Sequence, residues 1–152
     1  RGIKPEKANF FFFFYDLSHI SDFTRQIDNE TYRVIKKALP GPFTFIFNAN
    51  KNVPKLLSSN KKTVGIRVPD NTIARAIVKM LGNPIISTSI HDDDEIIEYS
   101  TDPELIYEKY QDIVDLVIDG GYGDNEPSTI VDCSEGDFEI IRQGKGDLDQ
   151  YL

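Results

Sequence analysis

The chain alternates and clusters its apolar residues in patterns that predict an interleaved set of strands and helices. The segment Phe43-Thr44-Phe45-Ile46-Phe47 follows the Pro40-Gly41-Pro42 turn and has a strand's period of two. It puts Phe43, Phe45 and Phe47 on one side, and Thr44 and Ile46 on the other. Phe10 to Tyr15 is a six-residue aromatic run with no polar position, which predicts a buried strand. Further strands are expected at Thr63–Val68, Ile85–Ser89, Leu116–Asp119, Thr129–Asp132 and Phe138–Arg142.

Helical spacing recurs between these runs. Ser18 is placed to cap a helix carrying Ile20, Phe23 and Ile27. Asn29 is placed to cap Glu30–Leu39, which Pro40 stops. Asn71 opens a helix containing Ile73, Ile77, Val78 and Leu81, and Gly82 offers a left-handed stop. Thr101 and Glu104 have capping-box spacing before Leu105, Ile106 and Tyr110. Strands interleaved with helices predict an α/β fold, a single-domain twisted mixed sheet with flanking helices over residues 1–152.

Composition narrows the classes of function. Of 152 residues, 39% are hydrophobic and 28% charged, a balance that supports a soluble packed core. The longest apolar run is too short for a membrane helix, so no membrane partner is expected. The single cysteine, Cys133, excludes an internal disulfide and a cysteine-based metal cage, and it fits a reducing cytoplasm. His19 and His91 are too few for a histidine-rich metal site. A net charge of −8 disfavours non-specific nucleic-acid binding, though it leaves room for a local basic rim. The acidic run Asp92–Glu95 lacks the spaced ligands of a calcium loop and reads as a solvated surface.

The familiar catalytic patterns are missing: there is no phosphate loop, nucleophile elbow or cysteine–histidine pairing. What remains is a set of hydroxyls and two arginines at strand ends, chemistry suited to holding anions. Ser87 and Ser89 are two apart, so one extended strand would show both on one face; each could equally bond local backbone. Arg67 points away from its neighbours Ile66 and Val68 and needs a carboxylate, either of the protein or of a ligand. Arg142 poses the same alternative, with Gly144 leaving space near the backbone. His91 reads either as a donor to a phosphate or as an exposed loop residue.

Five short motifs occur in one order: Pro-Gly-Pro-x-Thr (Pro40 to Thr44), Gly-x-Arg-x-Pro (Gly65 to Pro69), Ser-Thr-Ser (Ser87 to Ser89), Ser-Thr-x-Val-Asp (Ser128 to Asp132) and Arg-x-Gly (Arg142 to Gly144). Together they resemble the YrdC family of threonylcarbamoyl-AMP synthases, most closely its YciO branch, over nearly the whole chain. The resemblance implies a YrdC-like fold and the conversion of L-threonine, bicarbonate and ATP into threonylcarbamoyl-AMP and pyrophosphate, for tRNA modification in the cytoplasm. It assigns Thr44, Ser89 and Arg142 to the nucleotide. It assigns Arg67, Ser87 and Ser128 to threonine, and it brings Mg2+ in with the ATP.

Two departures accompany the resemblance. The family's Ser-x-Asn reads Ser89-Ile90-His91 here, so an imidazole replaces an amide's paired donor and acceptor. The family's opening portion, with a Pro-Thr-Asp-Thr strand and a Lys-x-Arg motif, is expected to be missing from this chain; Arg1 falls at the edge of that motif, and neither Arg1 nor Lys4 is given a role. Two other functions remain open. One is a double-stranded RNA or tRNA module using Lys36, Lys37, Lys61, Lys62 and Arg67. The other is a nucleotide-binding relative without synthase activity.

Overall fold

The computed structural model describes residues 10–55, 57–58, 61–90 and 100–152. His91, the acidic run Asp92–Glu95, Arg1 and Lys4 lie outside the described residues. By contact the chain divides into two compact units, Arg1–Thr88 with Ser128–Leu152, and Ser89–Pro127.

The first unit holds β1 (Phe11–Phe13), α1 (Asn29–Ala38), β2 (Phe43–Asn48), β3 (Thr63–Arg67), α2 (Thr72–Leu81) and β4 (Ile85–Ser87). The second unit contributes α3 (Pro103–Tyr110), after which the chain returns to the first unit as β5 (Thr129–Asp132) and β6 (Glu139–Arg142). The six strands form one sheet in the order β4-β1-β3-β2-β5-β6. It is mixed: β1 runs parallel to β3 and β2 parallel to β5, while the β2–β3, β1–β4 and β5–β6 pairs are antiparallel.

The alternation along each strand gives the sheet two different faces. Phe12, Phe14, Phe43, Phe45, Phe47, Val64, Ile66, Val68 and Val131 are buried in one cluster with Ile35 and Ala38 of α1. Phe43, Phe45 and Phe47 stack in sequence, with centroids 5.5 Å and 6.4 Å apart. Each such ring removed from water contributes about 2 kcal/mol to folding. The core therefore lies on the phenylalanine side of β2. The opposite face collects Thr44, Ile46, Gly65 and Arg67 by the register of β2 on β3 and the alternation of each strand.

Several elements differ from expectation for local reasons. The proposed helix from Ser18 through Ile27 is only a 3-10 turn, Ile20–Asp22. Tertiary pairing takes the rest: Thr24 bridges Ala49, and the Arg25 amide donates to the Asn48 carbonyl at 2.9 Å. The cap of α1 is Asp28, one residue before Asn29, and its carboxylate accepts the Thr31 amide at 2.8 Å. The cap of α3 is Asp102 rather than Thr101, because Pro103 occupies the first turn and makes its predecessor the extended residue. The expected strand Leu116–Asp119 does not form. Apolar alternation supplies no ladder partner, and Leu116 and Ile118 are exposed. β4 stops at Ser87, two residues short. By contrast α2 has the expected ends: the Asn71 side chain accepts the Ala74 amide, and Gly82 is left-handed at φ 83°.

Candidate functional site

Strand register collects most of the hydroxyls and guanidiniums on the face opposite the phenylalanine core. Thr44 pairs with Ile130 and Gly65 with Ile46; Phe11 pairs with both Gly65 and Ser87; Ile130 pairs with Arg142. Residues two apart share a face, so Ser87, Phe11, Phe13, Gly65, Arg67, Thr44, Ser128 and Arg142 all belong to this side. Ser89 begins the second unit and is described only there; it lies beyond β4, so the extended pairing of Ser87 with Ser89 on one strand is not formed.

The centre is a hydrogen-bonded chain. The hydroxyls of Thr44 and Ser128 are 2.8 Å apart. Arg142 donates from Nη2 to the Ser128 hydroxyl at 3.3 Å. It also clasps the Ser128 carbonyl, with Nε at 3.1 Å and Nη2 at 2.7 Å. The guanidinium fork is thereby fixed on the backbone next to the serine rather than left as a mobile charge.

The loop after β6 is pinned from behind. Thr129, fully buried, donates its hydroxyl to the Gly146 carbonyl at 2.6 Å and accepts the Gly144 amide at 3.0 Å. Gly146 lies against the Phe43 ring so closely that a Cβ there would fall 2.6 to 2.9 Å from three ring carbons. Tyr151, in a 3-10 turn at Leu148–Tyr151, then packs edge-on against Phe43 at 5.8 Å. The residues after Arg142 are thus an ordered strap. Just before β2, Gly41 has no room for a side chain, since a Cβ would overlap the Ala38 carbonyl oxygen. Its amide donates to the Val68 carbonyl at 3.0 Å, which ties the Pro-Gly-Pro turn to the strand end carrying Arg67.

Arg67 supplies the second guanidinium. Among the described residues it has no carboxylate partner, and its buried Nε has no hydrogen-bond partner. Its Cζ lies 5.2 Å from the Phe11 ring centre and 5.3 Å from that of Phe13. Burial, with a smaller contribution from the positive charge of Arg142, pulls its pKa below the ordinary arginine value. Two like charges that influence each other on one sheet face form a region able to receive an anion.

Phe11 and Phe13 were legible in sequence only as part of a buried aromatic run. Phe12 and Phe14 are buried, whereas Phe11 and Phe13 are half-buried and turned to the arginine side. Their shared parity was visible along the chain, but which face it would meet was not. The basic groove considered from sequence does not assemble from all its parts. Lys36 and Lys37 are exposed on α1, which packs on the core side, while Arg67 lies on the other. Among the described residues no group of three or more His, Cys, Asp or Glu side chains could hold a metal ion. No helix among them is long and apolar enough to cross a membrane.

Comparison with known proteins gives a consistent picture. A profile of the Sua5/YciO/YrdC family, described as "Telomere recombination", matches residues 3–144. The uncharacterized protein YciO of Escherichia coli (strain K12) is 39% identical over 150 residues, 97% of this chain and 71% of that protein. The crystal structure of E. coli YciO superposes with a TM-score of 0.87 at 37% identity, covering 97% of this chain and 71% of the other. The threonylcarbamoyl-AMP synthase of Bos taurus is 34% identical over 122 residues, which is 73% of this chain but 42% of that enzyme. The structure of P. abyssi Sua5 complexed with L-threonine shares the fold, with a TM-score of 0.83 at 21% identity over 94% of this chain and 42% of that one.

Proposed function

The chain belongs to the Sua5/YciO/YrdC family, and within it we propose a nucleotide-binding enzyme of the threonylcarbamoyl-AMP synthase type. The observation that carries this reading is the linked set Thr44, Ser128 and Arg142 on the same sheet face as Arg67, whose buried Nε has no hydrogen-bond partner among the described residues. An arginine held away from every described carboxylate is suited to the carboxylate of an incoming amino acid. Two relatives support the choice of substrate: one bears the name of the synthase, and another was solved with L-threonine.

In this reading Arg67 receives the α-carboxylate of threonine, and Ser87 and Ser128 hydrogen-bond beside it. Thr44 and Arg142 hold the nucleotide. The amine of threonine and bicarbonate lose water to give a carbamate. A carbamate oxygen then attacks the α-phosphorus of ATP, the bond to the β-phosphate oxygen breaks, and pyrophosphate leaves. Positioning and charge stabilisation carry this chemistry, because none of the assigned side chains is a nucleophile or a general base. Arg142, already fixed on the Ser128 carbonyl, meets charge developing at phosphorus without first reorganising. Magnesium would accompany the ATP phosphates as their counter-ion.

The test is pyrophosphate release. The full-length protein is expected to release it from ATP only when threonine and bicarbonate are both present. ATP binding without turnover would instead identify a relative that has lost the synthase reaction.

A further inference from the structure

We propose that Phe11 and Phe13 form an aromatic clamp that positions the Arg67 guanidinium for a carboxylate-bearing ligand; the role of Arg67 in this rests on the function proposed above. The clamp follows from strand pairing. β1 lies parallel to β3, with Phe11 opposite Gly65 and Phe13 opposite Arg67. The two rings meet edge-on at 62° with centres 5.2 Å apart, forming a notch. The guanidinium carbon lies against both, at 5.2 Å and 5.3 Å.

Gly65 makes the notch possible. A Cβ there would fall 3.3 Å from the Thr44 methyl and 3.4 Å from the Phe11 Cβ, so any side chain would crowd the floor between Thr44 and the clamp.

The clamp answers a physical difficulty. A buried cation without hydrogen bonds or a counter-ion is costly. A protein carboxylate would relieve that cost, but it would also occupy the fork that a ligand must use. Aromatic faces attract the cation through their quadrupoles and accept no N–H in the plane of the fork. Phe11 and Phe13 therefore hold the arginine oriented while its donors stay available.

Nitrogen-15 NMR of the full chain tests the clamp, using the Arg67 Nε–H resonance assigned by its loss in Arg67→Lys. The wild-type resonance is expected upfield of ordinary arginines through ring currents, and it should move on titration with L-threonine and, more weakly, with acetate. In Phe11→Leu/Phe13→Leu the upfield position should be lost and threonine affinity should fall about tenfold, while ATP affinity stays within twofold. Phe13→Tyr, which keeps the ring face, should leave both at their wild-type values. The single Leu variants, checked by thermal melting, serve if the double variant does not fold. Wild-type threonine affinity in the folded Leu variants overturns the clamp, as does an ordinary Nε–H position in the wild type. Acetate moving the resonance while threonine does not would support the clamp and overturn threonine as the substrate. If neither ligand moves it, both proposals fall.

Discussion

The hydroxyl of Thr44 lies 2.8 Å from that of Ser128, although 84 positions separate them along the chain. Parallel pairing of β2 with β5 produces the contact, and Arg142 extends it by donating to the same serine. Three motifs that are unremarkable apart thus form one polar unit.

If that unit joins the nucleotide, held by Thr44 and Arg142, to Ser128 of the threonine subsite, its members should act together. Thr44→Val and Ser128→Ala are each expected to cost roughly 1–2 kcal/mol of ATP affinity. The double variant should cost less than the sum by roughly 1 kcal/mol, because each hydroxyl orients the other. Isothermal titration of the four proteins gives this coupling; strict additivity would show that the hydroxyls act separately.

Arg142→Lys keeps the charge and removes the fork that reaches the Ser128 carbonyl through Nε and Nη2. A lysine ammonium is a single point of charge and cannot reproduce that clasp. Pyrophosphate release should drop at least about tenfold, the scale of a lost charge-assisted hydrogen bond. A rate equal to wild type would mean that charge alone is enough.

Gly146→Ala tests the strap behind the site. The added Cβ would meet the Phe43 ring, which cannot withdraw because it is stacked on Phe45 and met edge-on by Tyr151. Overpacking of this kind costs about 1–3 kcal/mol. The urea midpoint should fall accordingly, and an unchanged midpoint would show that the strap moves independently of Phe43.

Asp28 gives a pH dependence. Its hydrogen bonds from the Thr31 amide and hydroxyl hold its pKa below the ordinary aspartate value. Because the folded value is the lower one, the stabilisation is complete above the unfolded value and disappears as pH falls through the folded one. Asp28→Asn should therefore flatten part of the acid limb of a stability–pH curve measured below about pH 5. An unchanged acid limb would remove Asp28 from that account.

Cys133 is half-buried, and its thiol is pushed up to about 12 by burial, with the negative charges of Asp132 and Asp28 adding to the effect. The thiolate is the reactive form, so iodoacetamide at pH 8 should label the native protein far more slowly than the urea-unfolded one. Equal rates would place the sulfur in a different environment.

Where a signal is local, the sequence carried it. The alternation of Phe43, Phe45 and Phe47 against Thr44 and Ile46 needed only the strand period, and α2 needed only Asn71 and Gly82. The two misplaced caps differ by one residue each, because Asp28 and Asp102 compete with neighbours that also cap well. The failed helix after Ser18 has the right spacing, yet Thr24 and Arg25 bond to the end of β2 and its following residue, and a tertiary ladder outweighs a weak helical preference.

By itself, then, the order of residues determined the kinds of element, the apolar core side of β2, and the store of hydroxyls and guanidiniums near strand ends. Only the folded chain decided that Thr44 meets Ser128, that Arg142 grips Ser128, and that Arg67 lies against Phe11 and Phe13. The reason is that side-chain parity is a property of one strand, whereas a shared face depends on register between strands distant in sequence. Shifting any one pairing by a single residue would leave every local pattern intact and turn these groups to opposite sides.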